Sequence, residues 1–327
     1  MWSNFTIENI KLLNRSNNIN IDFIKKIKSI RKLINKTENC DFKILETKIS
    51  NSKLNRLKET EWVDSNLDLN DNLYDINICW KNKNINNNIF MRTTENKFKK
   101  IKNRLPMFIK IFNFIQDNSK IEIKMYLILS DLKKKLENNK IISPKHINSG
   151  YTNIQTNEIF IWREEEFEKV SFHELIHLFD KDHRDENINL NININGPTSY
   201  FEAITDFKAI IYNIIYISLL TFKKISSIIE FEYYFIYNQA KLISYNLSIC
   251  KNENIINQNS PAYSYYILKY FIFEYFFLNL FDEKLFDNIF YKGKNYNELI
   301  KLINIRDLNN IKHIDFKSSR MTLFELI

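Results

Sequence analysis

Two histidines and a glutamate in the stretch FHELIHLFDKDH, residues 172–183, are the side chains of this chain best suited to chemistry. His173 and His177 stand one helical turn apart, so on a helix their imidazoles share a face and can grip one divalent ion. Glu174 lies beside them, able to take a proton from a water on that ion. A catalytic zinc needs a third protein ligand, and two residues compete for the position. His183 lies six residues beyond His177, the spacing of the pattern H-E-x-x-H-x-x-G-x-x-H, but Asp180 stands where that pattern keeps a glycine for a sharp turn. The pattern also expects a methionine turn downstream. No methionine occurs between Met125 and Met321, which leaves SSRMTLFE (318–325) as its candidate.

The other contender is Glu202. Between residues 187 and 229 the acidic side chains are Glu202 and Asp206, set four apart on one face of an otherwise apolar, aromatic helix. A capping box, Ser199-x-x-Glu202, accounts for Glu202. It does not account for Asp206, whose charge is costly to bury without a partner. A zinc site accounts for both: Glu202 coordinates the ion, and Asp206 accepts a hydrogen bond from a ligand imidazole, fixing its orientation and basicity. Ala203 between them is small enough to let two helices approach.

The elements that must carry these residues can be read from periodicity. From Arg163 the pattern turns helical, with three glutamates (164–166) where negative charge suits the positive end of the helix dipole. Phe172, Leu175, Ile176 and Phe179 then share one face, and the imidazoles share the opposite one. Upstream, KIEIKMYLILS (120–130) alternates as a strand, and HINSGYTNIQTNEIFIW (146–162) reads as a strand or hairpin with IFIW as its second arm. LKKKLENN reads as a short helix or turn. Helices are expected over residues 21–34, over 98–116 with an interruption at Pro106, and from TSYFEAITDF onward. The expected fold class is α+β, mainly helical, with a small mixed sheet whose edge strand, about Glu158 to Trp162, precedes the motif helix. Residues 1–95 carry no legible chemistry and are expected to form an accessory region before a domain at 96–327.

Composition narrows the classes. The 327 residues are 44% hydrophobic and 14% aromatic, ample for a packed core. A net charge of +8 raises the question of a polyanion partner, but the densest basic runs, 97–104 and 131–140, read as solvated helix sides, so nucleic acid is disfavoured as a partner. Cys40, Cys79 and Cys250 form no CxxC pair, which suits a reducing compartment. The amino terminus lacks a basic start followed by an apolar run. The apolar run 209–220 is short for a bilayer, and the run 262–281 carries Lys269 and Glu274. An intracellular, cytoplasmic protein with no membrane span is therefore expected.

HELIH followed after 24 residues by EAITD resembles the gluzincin zinc peptidases, whose second motif is a glutamate with an aspartate four residues later. The Glu-Ala-Ile-x-Asp form is most similar to their angiotensin-converting-enzyme-like branch. That resemblance implies a zincin-like fold, a Zn2+ ion on His173, His177 and Glu202, a peptide or protein substrate, and a tyrosine from a later aromatic helix that stabilises the oxyanion. SPAYSYYILKYFIFEYFF (260–277) offers Tyr263 and Tyr266 for that role, with His146 and His313 as further candidates. The run from NSGYT to HELIH is similar to uncharacterised predicted metallopeptidases of large cytoplasmic DNA viruses, over about residues 120 to 210, which is compatible with the virion or the host cytoplasm as location. Two alternatives stand beside this reading: a metzincin-like peptidase using His183, and a non-catalytic basic binding or virion-structural protein. An intact Glu174 speaks against the second.

Overall fold

Helices and strands from both halves of the chain meet in one layered α+β structure, seen in a computed structural model that describes residues 6, 20–60, 63, 73–117, 119–136, 141–179, 193–249, 255–278, 281–303 and 319–323. His183, His313 and Cys250 lie outside these residues. The first described helix, α1 (Ile21–Lys36), is capped by Asn20, whose side chain accepts from the backbone of Asp22 and Phe23. It buries Phe23, Ile24, Ile27, Ile30 and Ile34, the positions its spacing selects.

Six strands form a mixed sheet. In chain order they are β1 (Phe42–Glu46), β2 (Tyr74–Asn82), β3 (Ile85–Thr93), β4 (Lys124–Ser130), β5 (Gly150–Asn153) and β6 (Glu158–Arg163), and in space they run β1-β2-β3-β4-β6-β5. The pairs β3–β4 and β4–β6 are parallel, and the others antiparallel. The sheet is covered on both faces: Met125, Leu127, Ile159 and Ile161 face the main helical core, while Tyr126, Ile128, Phe160 and Trp162 face a second cluster under α2 (Asn51–Lys58).

Two expectations change here. β6 is buried at all six positions and lies second from the margin; the edge strand is β5, the first arm of the hairpin. The boundary expected at residue 95 falls inside this sheet, because β3 pairs with β4 from Asn88–Lys124 to Arg92–Ile128, and α1 shares the main core. The described residues between 20 and 93 thus contribute to the same core as the rest, as a continuous hydrogen-bond ladder requires.

Two helices bridge β3 and β4: α3 (Glu95–Lys102), capped by Thr94, and α4 (Leu105–Gln116). Pro106 sits in the first turn of α4, where its missing N–H costs nothing, so it starts a second helix rather than interrupting one. Residues 131–136 are not helical. After β6 the motif helix α6 (Phe167–Phe179) begins four residues later than the glutamate run suggests; the short α5 (Pro144–Ile147) precedes β5. Glu166 has φ +60°, outside the helix. Glu165 and Glu166 are held by partners of their own: Arg320 and the Lys134 backbone N–H for Glu165, and Lys134 Nζ with the N–H groups of Met321 and Thr322 for Glu166.

The long helix α7 (Tyr200–Thr221) packs along α6, and α8 (Ile225–Ile249) packs on it in turn. The run 209–220 is part of α7, which is long and apolar enough to cross a bilayer, and 89% of its most apolar window is buried inside the molecule. Short strands β7 (Ile194–Asn195) and β8 (Ile256–Asn257) pair in parallel ahead of a π-helical segment, Tyr263–Leu268, that runs into α9 (Lys269–Leu278).

Candidate metal centre

Three donor atoms converge where α6 meets α7. His173 Nε2 lies 2.9 Å from His177 Nε2, His177 Nε2 lies 3.0 Å from Glu202 Oε2, and His173 Nε2 lies 3.3 Å from the same oxygen. Ligands at about 2.0–2.1 Å on a tetrahedral zinc stand about 3.3 Å apart, so the triad has the span of such a site. Two imidazole nitrogens 2.9 Å apart cannot both present bare lone pairs; a proton or a cation must lie between them. His173, His177 and Glu202 can therefore hold a metal ion.

The i, i+4 spacing on α6 supplies the two imidazoles, and the close packing of α7 across Ala203 (0% exposed) brings the carboxylate to them. Ser199 caps α7 by accepting the Glu202 N–H at 3.4 Å, but the reciprocal arm of a capping box is absent: the Ser199 N–H goes instead to Ser264 Oγ at 2.9 Å. The Glu202 carboxylate is left for the imidazoles. Asp206, one turn on and fully buried, accepts from His173 Nδ1 at 3.0 Å, which turns Nε2 toward the other donors.

Asp206 carries more than that bond. Lys169, four residues before His173 on α6, donates to its Oδ1, and Lys269, at the start of α9, donates to Oδ2 at 2.8 Å. Against the penalty of burial, these two ammonium groups and His173 hold the Asp206 carboxyl well below the usual carboxylate range. Glu202 is likewise held far down: burial opposes its charge, but the charge of His177 and hydrogen bonds from both imidazoles prevail. His173 moves the other way. Burial disfavours its cation, yet the hydrogen bonds to Asp206 and Glu202 raise it from 6.5 to about 9.

The triad forms the floor of a cleft of about 880 Å³. Glu174 faces this cleft and is fixed by Thr152 of β5, whose hydroxyl lies 2.8 Å from Glu174 Oε2 and 2.9 Å from its backbone oxygen. β5 comes so near α6 that a Cβ on Gly150 would sit 2.9 Å from Val170 Cγ1 and 3.1 Å from Glu174 Oε1. Only glycine fits that approach without displacing the helix side chains.

Of the two tyrosines singled out by sequence, neither lines the cleft. Tyr266 is fully buried and donates to the backbone oxygen of Ser319, and Tyr263 is buried as well. Tyr265 lies on the cleft wall, its ring 5.8 Å from that of His173. Burial, together with the charges of Glu202 and Glu174, keeps its phenol protonated well above the ordinary range. The π-helical segment presents Tyr265, and neither Tyr263 nor Tyr266, to the cleft. His146 does not line the cleft: it is buried, and its Nδ1 takes the N–H of Ser143 at 3.0 Å.

Sequence reasoning missed Lys169, Lys269, Thr152, Gly150 and Tyr265. The lysines were findable, since a buried carboxylate at Asp206 calls for a buried cation, and Lys269 interrupts an apolar run. Met321 is the residue the methionine-turn comparison pointed to, and it does lie behind the centre: its Sδ is 3.5 Å from Lys169 Nζ and its backbone oxygen 3.2 Å from Lys269 Nζ. Comparison with protein-family models, curated proteins and solved structures found no match to this chain.

Proposed function

We propose that the protein is a zinc-dependent peptidase of zincin-like fold. The observation that carries this reading is the convergence of His173, His177 and Glu202 within hydrogen-bonding distance of one another, on a cleft floor that also presents Glu174. A zinc ion held by those three residues supplies a Lewis acid and a water of lowered pKa. Glu174, clamped by Thr152 at 2.8 Å, accepts the proton of the attacking water and delivers it to the leaving amine. Tyr265, rather than Tyr263 or Tyr266, donates its hydroxyl hydrogen bond to the oxyanion of the tetrahedral species.

The edge strand β5 runs along the cleft through Gly150, Tyr151 and Thr152. An extended peptide or protein segment can add to its free edge by backbone pairing, which fits a peptide substrate. The edge available for such pairing is therefore β5 and not β6, the strand expected from sequence at the margin.

Metal analysis of the purified protein tests the assignment. One zinc per chain, lost in Glu202→Gln and kept in His183→Ala, supports it. Peptide hydrolysis abolished in Glu174→Gln with zinc retained supports the chemistry, and a metal-free wild type refutes both.

A further inference from the structure

Asp206 has more cationic partners than orienting an imidazole requires. A single acceptor oxygen suffices to fix His173 Nδ1, at 3.0 Å, yet Lys169 and Lys269 occupy both oxygens, the second at 2.8 Å. Each ammonium is buried, with 1% of its side chain exposed, and each gives up its hydration to be there. The two are anchored from behind by Met321, through its sulfur and its backbone oxygen. Both ammonium groups bond directly to the one carboxylate behind a ligand imidazole, in a low-dielectric setting where charge acts strongly, and the buried carboxyls of Glu166 and Glu232 act on them through space.

We infer that Lys169 and Lys269 are positioning residues of the metal centre: acting through Asp206, they hold that carboxylate on His173 and moderate how tightly the triad grips a divalent cation. The inference rests on reading His173, His177 and Glu202 as metal ligands. The physics has a definite sign. A lone carboxylate behind an imidazole increases its basicity and attracts the cation. Two ammonium groups on the same carboxylate draw its charge away and repel the cation, so the site binds more weakly than the donor set alone would.

The test uses the full chain, stripped of metal and titrated with zinc against a competing chromophoric chelator, and with cobalt(II) for its visible spectrum. Lys269→Met keeps the length and removes the charge; it is expected to bind zinc about tenfold tighter than wild type, on the scale known for partners of ligand imidazoles. Its cobalt(II) bands should shift, and Lys269→Arg should restore the wild-type Kd and spectrum. Asp206→Asn removes the carboxylate that both ammonium groups bond and is expected to weaken zinc binding at least tenfold; this variant serves also where Lys269→Met does not fold. Wild-type affinity in both Lys269→Met and Asp206→Asn, or weaker binding in Lys269→Met as packing loss alone would give, overturns the inference. A wild type that binds neither zinc nor cobalt(II) instead overturns the ligand assignment beneath it.

Discussion

Raising the pH of the metal-free protein should remove the proton that His173 holds, and the cost can be worked from its surroundings. Its hydrogen bonds to Asp206 and Glu202 raise it from 6.5 to about 9. At about 1.4 kcal/mol per pH unit of displacement, that gap corresponds to about 3 kcal/mol of folding stability. Because the folded value is the higher one, the contribution is complete below about 6.5 and declines as pH climbs to about 9, above which it is gone. Glu202 and Asp206 are displaced downward, so their contributions persist at all pH above the ordinary carboxylate range and fade only on acidification. Metal-free protein should therefore be most stable near pH 5–6, with urea unfolding showing a loss of about 3 kcal/mol between pH 6.5 and 9. Saturating zinc should remove that slope, because a metal displaces the same proton. Calorimetric titration at pH 7.5 in buffers of different ionisation enthalpy should count a proton released from His173, absent in His173→Gln. A flat stability profile between pH 6.5 and 9, unchanged by His173→Gln, would refute the electrostatic account of the triad.

Gly150→Ala should drive a methyl group into Val170 and Glu174, costing about 1–3 kcal/mol in stability and lowering kcat at least tenfold while zinc content is unchanged; unaltered kinetics would mean β5 does not set Glu174. Thr152→Val removes the hydroxyl that holds Glu174 at 2.8 Å, so kcat should fall while KM and zinc content stay near wild type. Tyr265→Phe should lower kcat by about 10²-fold with little change in KM, the scale of losing one oxyanion donor. Tyr266→Phe should instead lower the thermal midpoint, since its hydroxyl is committed to Ser319, and leave kcat close to wild type.

How far the sequence reveals the site depends on which physical rule places each residue. His173, Glu174 and His177 follow from helical periodicity on one element, and that element forms. Glu202 and Asp206 follow from the cost of burying carboxylates in an apolar helix, and both prove to have the partners that cost demands. What is not legible depends on contacts between distant segments. Nothing local says that β5 rather than β6 is the sheet margin, because that order is set by pairing across the chain. The helix start at Phe167 is similarly displaced: Glu165 and Glu166 are drawn to Lys134 and to the segment Ser319–Leu323, more than 150 residues away. Tyr265 was missed because the resemblance offers tyrosines only by their presence in an aromatic stretch, and which of them reaches the cleft is set by how the π-helical segment packs.

The segment Ser319–Leu323 connects these long-range effects to the centre. Glu166, at the mouth of α6, accepts the N–H groups of Met321 and Thr322 at 2.6 and 2.7 Å, while Glu232 of α8 accepts that of Leu323 at 3.1 Å. Arg320 pairs with Glu165 at 3.0 Å, and Ser319 Oγ donates to the backbone oxygen of His146 at 2.9 Å. Each of these bonds is buried, so removing one partner strands the other and costs more than the bond itself is worth. Glu166 directly precedes the helix on which Lys169, His173, Glu174 and His177 are all carried, so an error there moves every one of them together. The same segment supplies the Met321 oxygen to Lys269. The geometry of the candidate metal centre is therefore set as much from residues 319–323 as from the helix that displays its imidazoles, and changes in this short segment should reach the site more directly than changes in β1, at the far margin of the sheet.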